Sequence, residues 1–298
     1  MDKILELETI HDYHSFIGYE TLHPLISVID FSKVKPLRHA RKRYGFYAVV
    51  LKDVKCGDVR YGKNYYDYQE GTLVFISPGQ IVGNEDTGET YQMKGWALLF
   101  HPDLLWKTPL GQKMREYTFF SYEANESLHI SERERQTFLN CLNEIQEELE
   151  RSIDKHSKSI ITASIEVLLN YSMRFYDRQF VTREKVNHDI LTRFEMLLND
   201  YFESDKPETI GLPSVQYCAD NLHLSANYFG DLIKKETGKS AQEHIQSTVI
   251  NLAKAKLHDP EKTINEIAYE MGFKYPHHFS RLFKKMTGMA PTDYRQMS

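Results

Sequence analysis

The last third of the chain repeats itself after about fifty residues. Each copy has a short apolar helix pattern, a tight turn and a second helix pattern, and repeats of this kind indicate a supersecondary unit used twice. The recurring positions are Phe229, Leu232, Ile233, Lys234, Lys235, Thr237 and Gly238 in the first copy and Phe279, Leu282, Phe283, Lys284, Lys285, Thr287 and Gly288 in the second.

Turn and cap residues fit this unit. Ala219 and Ala268 are small enough to let two helices approach closely. Gly272 opens the second turn, because glycine accepts positive φ without steric cost. Ser225 is a suitable N-cap, and Pro276 suits the first position of a helix. The apolar spacing over residues 240–257 predicts one helix that links the two units.

A longer signature extends over residues 212–295. It comprises Ile267-Ala268, Gly272-Phe273, the run Phe279-Ser280-Arg281-Leu282-Phe283-Lys284-Lys285, Gly288, Pro291 and Tyr294-Arg295. This region resembles the DNA-binding domain of the AraC family of bacterial transcription regulators. The resemblance implies an all-α tandem helix-turn-helix whose two recognition helices enter successive major grooves of a double-stranded DNA operator. It also implies RNA polymerase as a partner.

The resemblance carries residue roles with it, position by position. Asp231 departs from the family, which usually has a basic residue there; an acid can accept a hydrogen bond from cytosine N4 but cannot bind guanine or phosphate. The first recognition helix is therefore expected to read few bases. Arg281 is expected to read bases, with a phosphate contact as the alternative. The implied base-reading positions are Ala226, Asn227, Gly230, Asp231, Pro276, His277, Ser280 and Arg281. The implied phosphate contacts are Lys234, Lys235, Lys284, Lys285 and Arg295.

Charge is divided unevenly along the chain. The net charge is -5, but residues 211–298 hold 11 Lys and Arg against 9 Asp and Glu, while the first 210 residues hold 26 against 33. The positive charge thus lies where DNA binding is inferred. No run of 18 apolar residues and no signal pattern occurs, so we expect a soluble, cytoplasmic protein without a membrane partner. Three widely spaced cysteines give no disulfide framework and no metal spacing.

The first third has the pattern of a β protein. The phrase from Glu70 to Gln80 resembles the second motif of cupin barrels. The fold class expected for the chain is therefore α+β and multidomain, with an antiparallel cupin-like barrel over residues 1–125 as a sensor, central helices, and the tandem helix-turn-helix. The predicted strands are residues 26–31, 45–51, 58–61, 64–68, 72–76 and 94–100.

A metal or cofactor is not expected in this barrel. The His-x-His pair and the later histidine of catalytic cupins are missing, and His11 with His14 lacks a third ligand. A metal-free barrel can still bind a small-molecule effector between aromatic side chains. The alternative is that these aromatics only fill the core. The candidate effector residues are Tyr44, Phe46, Tyr47, Tyr61, Tyr65, Tyr66 and Tyr68.

The middle of the chain, residues 126–203, is predicted to be helical. Ser131 and Glu134 form a capping-box pattern, and two further helices are expected at about 157–177 and 188–202. A narrow apolar seam predicts a homodimer interface, unless these helices pack only on the barrel and on one another. Residues 203–213 resemble an exposed linker before a DNA-binding domain at 204–298. The seam residues are Phe138, Leu142, Ile145 and Leu149.

These observations favour a transcription regulator that binds specific DNA under the control of a small molecule. A cupin-type binding protein or enzyme with an accessory helical domain is the alternative, but it leaves the repeat unexplained. No arrangement of nucleophile, base and orienting group emerges, so we expect no enzymatic activity. A protein-interaction adaptor is a third reading, which binding to random-sequence DNA would separate from the first.

Overall fold

The computed structural model describes residues 4–53, 59–61, 64–66, 71–86, 88–122, 126–151, 154–182 and 184–297. It divides into two compact units, Met1–Thr182 and Arg183–Ser298.

The first unit combines short strands with four helices among its described residues. The strands are β1 (Leu5–Leu7), β2 (Ile26–Asp30), β3 (Leu37–Arg38), β4 (Lys42–Tyr44), β5 (Tyr47–Lys52), β6 (Val59–Tyr61), β7 (Asn64–Tyr66), β8 (Thr72–Ile76), β9 (Ile81–Val82), β10 (Thr90–Tyr91), β11 (Gly95–Phe100) and β12 (Leu128–His129). The helices are α1 (Ile10–Ile17), α2 (Pro109–Lys113), α3 (Glu132–Glu150) and α4 (Ser157–Thr182).

A five-stranded sheet in the order β12-β8-β5-β11-β2 is the centre of this unit. Its pairs are all antiparallel, with Val49 of β5 opposite Phe75 of β8 on one side and Leu98 of β11 on the other. Three smaller sheets are also present among the described residues: one of β1, β4 and β9, a second of β3 and β10, and a third of β6 and β7. The apolar runs of the central strands are buried on both faces, as expected for a sheet that is covered on two sides.

One face of the large sheet packs into a core shared with α1 and the strands β1 and β4. Tyr44 and Phe46 belong to this core: they are 8% and 0% exposed, and their rings meet at 5.5 Å between centroids. Their burial favours the alternative given by the sequence, in which these aromatics fill the core. The side chains of Tyr61, Tyr65 and Tyr66 and the whole of Tyr68 lie outside the described residues.

The other face of the sheet carries an aromatic cluster. Tyr47 stacks on Phe100 at 5.1 Å, and Phe120 packs edge-on against Tyr47 at 5.0 Å. Phe75 contacts Phe119 at 4.4 Å, and Tyr176 of α4 stacks on Phe119 at 5.5 Å. Tyr47 therefore faces away from the core that holds Tyr44 and Phe46, because alternate residues of a strand point to opposite faces.

Helix α3 begins as its sequence predicts. Ser131 accepts a hydrogen bond from the Glu134 backbone N–H at 3.4 Å, and Glu134 accepts one from the Ser131 N–H at 2.8 Å. Burial raises the pKa of Glu134, but the hydrogen bonds from Ser131 and Arg178 outweigh burial and leave it below its usual value. Arg178 of α4 donates to both Glu134 oxygens, at 3.0 and 2.8 Å, and so joins the two helices.

The predicted dimer seam on α3 lies inside the monomer. Its four side chains, Phe138, Leu142, Ile145 and Leu149, are between 0% and 9% exposed, and α3 packs against α4 and β2. This is a correction to the sequence analysis: the seam serves the core of the first unit and has no free surface for a second chain. The pattern of apolar residues gives the buried stripe of a helix but not the neighbour that covers it.

The second unit contains eight helices within residues 184–297. They are α5 (Glu184–Glu203), α6 (Lys206–Ile210), α7 (Val215–Leu222), α8 (Ala226–Thr237), α9 (Ala241–Leu257), α10 (Ile264–Glu270), α11 (Pro276–Thr287) and α12 (Pro291–Met297).

Helix α5 and the segment after it are part of this unit. Phe194 of α5 meets Phe229 of α8 edge-on at 4.9 Å, and α5 also packs on α7 and α9. The residues expected to form an exposed linker, 203–213, include α6; residues 203–206 and 208–210 are exposed, whereas Pro207 is buried. The Tyr201 hydroxyl of α5 donates to the Gly211 carbonyl at 2.7 Å, and α6 packs on both α5 and α10.

Candidate DNA-binding surface

The two repeats fold as helix-turn-helix units with matching caps. In both, a backbone N–H just past the first helix donates to the carbonyl of an alanine five residues earlier: Leu224 N to Ala219 O at 3.0 Å, and Phe273 N to Ala268 O at 2.9 Å. Both alanines are fully buried, which allows the close approach that the sequence predicts. The position of positive φ is His223 in the first turn, with φ 59°, and Gly272 in the second, with φ 86°.

From the buried alanine to the start of the second helix, the second unit is one residue longer than the first. The alanines are 49 positions apart, whereas the starts of α8 and α11, at Ala226 and Pro276, are 50 positions apart. Ser225 caps α8 by accepting a hydrogen bond from the Tyr228 N–H at 3.2 Å. Tyr275 precedes Pro276 at the start of α11 and makes no side-chain cap there.

Helix α11 presents a cationic face to solvent. Phe279 and Phe283 are fully buried and fix the rotation of the helix. His277, Arg281 and Lys284 therefore lie on the opposite, exposed side, and Lys285 is exposed beside them. Pro276 and Ser280, which complete the predicted set, are half-buried at the edge of this face.

Helix α8 has the same rotation but a different surface. Tyr228, Phe229, Leu232 and Ile233 are buried, so Asn227, Lys234 and Lys235 are exposed while Ala226, Gly230 and Asp231 are half-buried. Gly230 has no atom within 4 Å of where a Cβ would be, and the backbone is thus open to an approaching partner at that point.

The two recognition helices differ in charge. Residues 276–287 include three basic side chains, Arg281, Lys284 and Lys285, and no acidic one. In residues 226–237 the charges of two lysines are balanced by those of Asp231 and Glu236. Glu236 also accepts a hydrogen bond from the Asn187 amide of α5 at 3.1 Å. A polyanion is therefore attracted to α11 more strongly than to α8.

Arg295 has a structural contact in place of the predicted phosphate contact. Its Nε donates to the Leu257 carbonyl at 3.0 Å, at the C-terminal end of α9, and the side chain is half-buried. Its Nη2 is buried without a hydrogen-bond partner among the described residues. A cation at a helix C-terminus stabilises the unpaired carbonyls there, so Arg295 fixes α12 to α9.

A groove of about 410 Å³ runs between α9 and α11. Arg281 and Lys285 line it from α11, together with His278, and Gln242 and Gln246 line it from α9. The pKa of neighbouring Glu243 is lowered mainly by hydrogen bonds from Ser240 and to a smaller extent by the charge of Lys285. The groove thus continues the cationic face of α11 along one side of the helix.

Two lysines near this surface are engaged elsewhere. Lys256 and Lys262 donate to the two carboxylate oxygens of Glu270, at 2.7 and 2.6 Å, and so connect α9 to α10. Burial raises the pKa of Glu270, but the two lysines outweigh it and hold that pKa below its usual value. This arrangement fixes the second helix-turn-helix on the linking helix.

Sequence reasoning missed an aromatic group at the start of α11. Tyr275 is 48% exposed, its ring lies 5.7 Å from that of His277 and 5.6 Å from that of His278, and Lys274 Nζ lies 5.7 Å from the Tyr275 ring centroid. An aromatic residue directly before a proline-started helix was the available signal. Such rings can stack on flat groups or contact the sugar and phosphate of DNA.

The described residues contain no cluster of three potential metal ligands. His14 is buried, and both of its ring nitrogens lie within hydrogen-bond distance of hydroxyls, Thr21 Oγ1 at 2.8 Å and Ser27 Oγ at 2.9 Å. Burial, followed by the charge of His11, lowers the pKa of His14 to about 4. Over the part of the chain that the structure describes, no helix has the length and apolar character needed to cross a bilayer.

Residues 218–297 match a family model described as a helix-turn-helix domain. YtdP, an uncharacterized HTH-type transcriptional regulator of Bacillus subtilis (strain 168), is 36% identical over 78 residues, which are 26% of this chain and 10% of YtdP. AdaA of the same strain, a bifunctional transcriptional activator/DNA repair enzyme, is 34% identical over 102 residues, which are 34% of this chain and 47% of AdaA. The chain thus spans less than half the length of either relative.

Among solved structures, the C-terminal domain of AraT, a response regulator from Geobacillus stearothermophilus, is 28% identical, with 37% of this chain and 85% of that chain covered and a TM-score of 0.33. The family model and the names of the relatives agree on the C-terminal region. It is an AraC-type helix-turn-helix domain, a DNA-binding domain that this chain shares with transcriptional regulators.

Proposed function

We propose that this protein is a cytoplasmic transcription regulator that binds a specific double-stranded DNA operator, with α11 as its main reading helix. The observation that carries the proposal is the exposed face of α11, where His277, Arg281 and Lys284 project from a helix fixed by two buried phenylalanines. Arg281 pairs with guanine in the major groove, and Lys284 and Lys285 neutralise phosphates. RNA polymerase is the expected downstream partner, and the regulators among the relatives support a non-enzymatic role.

Helix α8 has a supporting role in this proposal. Its net charge is close to zero, and Asp231 occupies the position that Arg281 has in α11. It contacts the backbone through Lys234 and Lys235, and Asp231 accepts at most a hydrogen bond from cytosine N4. Two boxes of unequal sequence specificity are therefore expected in the operator.

The test uses the full chain and an operator selected from a random DNA pool. Arg281→Ala should lower affinity for the selected site by about 1–3 kcal/mol and relax the preference at one or two base pairs, with a smaller effect on scrambled DNA. Lys285→Ala should weaken both DNAs by the same factor. Arg115→Ala, an exposed arginine in the first unit, is the charge-matched control. Equal losses on both DNAs for Arg281→Ala would show a phosphate contact and refute base reading by this residue.

The proposal includes a homodimer, formed through α4 rather than α3. Ile160, Val167 and Tyr171 are separated by seven and four residues, so they share one stripe of this 26-residue helix. They are 47%, 46% and 38% exposed. An exposed apolar stripe on a long helix is typical of an interface between copies.

Val167→Glu should convert a dimer to a monomer without loss of folding, because a charge would be buried between the helices. Met173→Glu is the matched control: Met173 is 39% exposed on the same helix but lies on a different face. Light scattering and circular dichroism distinguish the outcomes. A dimer mass unchanged by Val167→Glu would remove this stripe from the interface.

A small-molecule effector bound by the first unit completes the proposal. Tyr44 and Phe46 are packed in the core, so the effector requires another site in that unit.

A further inference from the structure

A cleft of about 650 Å³ opens on the first unit beside the aromatic cluster of the large sheet. Its volume falls within the range of small-molecule sites. Tyr47 of β5 lines part of it, and the other lining residues lie between Pro102 and Met114, from the end of β11 through α2. They include Leu105, Trp106, Lys107, Thr108, Gln112 and Met114.

The segment at the mouth of the cleft is held in a strained conformation. Lys107 has φ 58°, in the left-handed region that non-glycine residues rarely adopt. Hydrogen bonds fix the chain on both sides of it: Thr108 N and Thr108 Oγ1 both donate to the Leu105 carbonyl, at 3.1 and 2.7 Å, and Lys158 Nζ donates to the Trp106 carbonyl at 3.0 Å. Gly111 packs so closely that a Cβ there would lie 2.4 Å from the Leu105 oxygen. Strain held by its surroundings is a mark of binding sites.

The segment around Lys107 displays an indole and an ammonium that forms no ion pair among the described residues. Trp106 is 68% exposed, which leaves a large apolar ring in water. Lys107 Nζ lies 4.4 Å from the centre of this ring. The ion pairs near the cleft, among the described residues, are His101 with Asp103 and Lys113 with Glu166, and neither uses Lys107.

The remaining polar groups of the cleft are few. The Thr108 hydroxyl already donates to Leu105 and accepts from the Gly111 N–H at 3.1 Å. The Asp103 side chain is 76% exposed, and His101 Nδ1 accepts the Asp103 backbone N–H at 3.2 Å. The polar partners for a polyhydroxylated ligand are therefore Asp103, Gln112 and Lys107. A flat apolar body with one negative charge matches the cleft better, because the indole offers a stacking surface and Lys107 a counter-charge.

We propose that this cleft binds aromatic carboxylates, with the ligand ring on Trp106, its carboxylate at Lys107 Nζ, and its edge against Leu105 and Met114. The role of such a ligand as the effector rests on the proposed function, whereas its binding to the first unit does not.

The first experiment is calorimetric titration of the full chain, without DNA, with 2-naphthoate. Two controls separate the contributions: 2-naphthamide keeps the ring without the charge, and cyclohexanecarboxylate keeps the charge without the ring. We expect 2-naphthoate to bind about three- to tenfold more tightly than either control. Equal affinity for naphthoate and naphthamide, or no measurable heat with naphthoate, would overturn the proposal.

Variants of the two displayed residues test the assignment. Trp106→Ala should weaken naphthoate binding by about tenfold, and Trp96→Phe, which changes the other tryptophan of the chain, should leave it unaltered. Lys107→Asn keeps a residue that tolerates positive φ and should reduce naphthoate binding to the level of naphthamide. Retained discrimination in Lys107→Asn would overturn the role of the ammonium. If the unaltered chain bound naphthoate as expected but did not bind DNA, the proposed function would be refuted and the ligand site would stand.

Discussion

Replacing Gly272 by alanine should destabilise the second helix-turn-helix in two additive ways. The left-handed backbone at φ 86° costs an alanine about 1–2 kcal/mol. The new Cβ would also lie 2.8 Å from the Gly211 carbonyl carbon and 3.0 Å from Leu212 N, and relief of such overlap costs about 1–3 kcal/mol. The expected loss is therefore about 2–5 kcal/mol in the free energy of unfolding.

Gly288→Ala is the matched control, because Gly288 has φ 85° and no atom within 4 Å of the added Cβ. It should lose only the backbone part, about 1–2 kcal/mol. His223→Gly is the reverse change at the equivalent position of the first turn and should gain at most about 1 kcal/mol.

Urea unfolding followed by far-UV circular dichroism measures all three variants. Both tryptophans, Trp96 and Trp106, lie in the first unit, so a change in dichroism without a change in tryptophan fluorescence belongs to the second. Equal losses for Gly272→Ala and Gly288→Ala would refute the reasoning, since the contact with Gly211 would then contribute nothing.

Three further changes have expected outcomes. Gly230→Ala should raise the free energy of unfolding by about 0.5–1 kcal/mol, because the new Cβ meets no atom within 4 Å inside α8. The same variant should bind DNA more weakly. Urea unfolding and DNA-binding isotherms measure the two effects, and a variant less stable than the parent would contradict the stability prediction. Lys42→Met should stabilise the protein by about 1–3 kcal/mol at pH 7, because burial lowers the pKa of Lys42 to about 8. Thermal unfolding at a series of pH values should show this gain in stability decreasing between pH 8 and 10.5, as the lysine of the unfolded chain also loses its proton. Burial lowers the pKa of His14 to about 4, so between pH 6.5 and about 4 the unfolded chain binds a proton at this histidine and the folded chain does not. The free energy of unfolding should therefore decrease as the pH falls over that range. An equal pH dependence of the free energy of unfolding in a His14→Gln variant would contradict this.

The sequence predicted the parts of the fold that depend on local chemistry. The cap at Ser225, the positive φ of Gly272 and the ends of the strand at 72–76 all follow from residue type and spacing. The charge contrast between α8 and α11 could likewise be predicted in part, from Asp231 and Arg281.

Contacts between distant segments could not be predicted in this way. The apolar stripe of α3 is visible in the sequence, but nothing in it tells whether α4 or a second chain covers Leu142. Arg295 donates to a carbonyl 38 residues earlier in the chain, and the sequence around this arginine gives no sign of that contact. The strained Lys107 is equally hidden, because its conformation is imposed by Leu105, Thr108 and Gly111 around it.

Helix α9 has a consequence for the spacing of the operator. It has 17 residues, so it is about 25 Å long, and it packs on α8, α10, α11 and α12. The bridge from Lys256 and Lys262 to Glu270 and the bond from Arg295 to Leu257 remove freedom at its C-terminal half. Under the proposed function, α9 therefore sets a fixed distance between α8 and α11, the two helices that would read the operator. One base pair inserted between the two boxes would turn the second box by about a tenth of a helical turn, and this protein has no hinge within α9 to follow it.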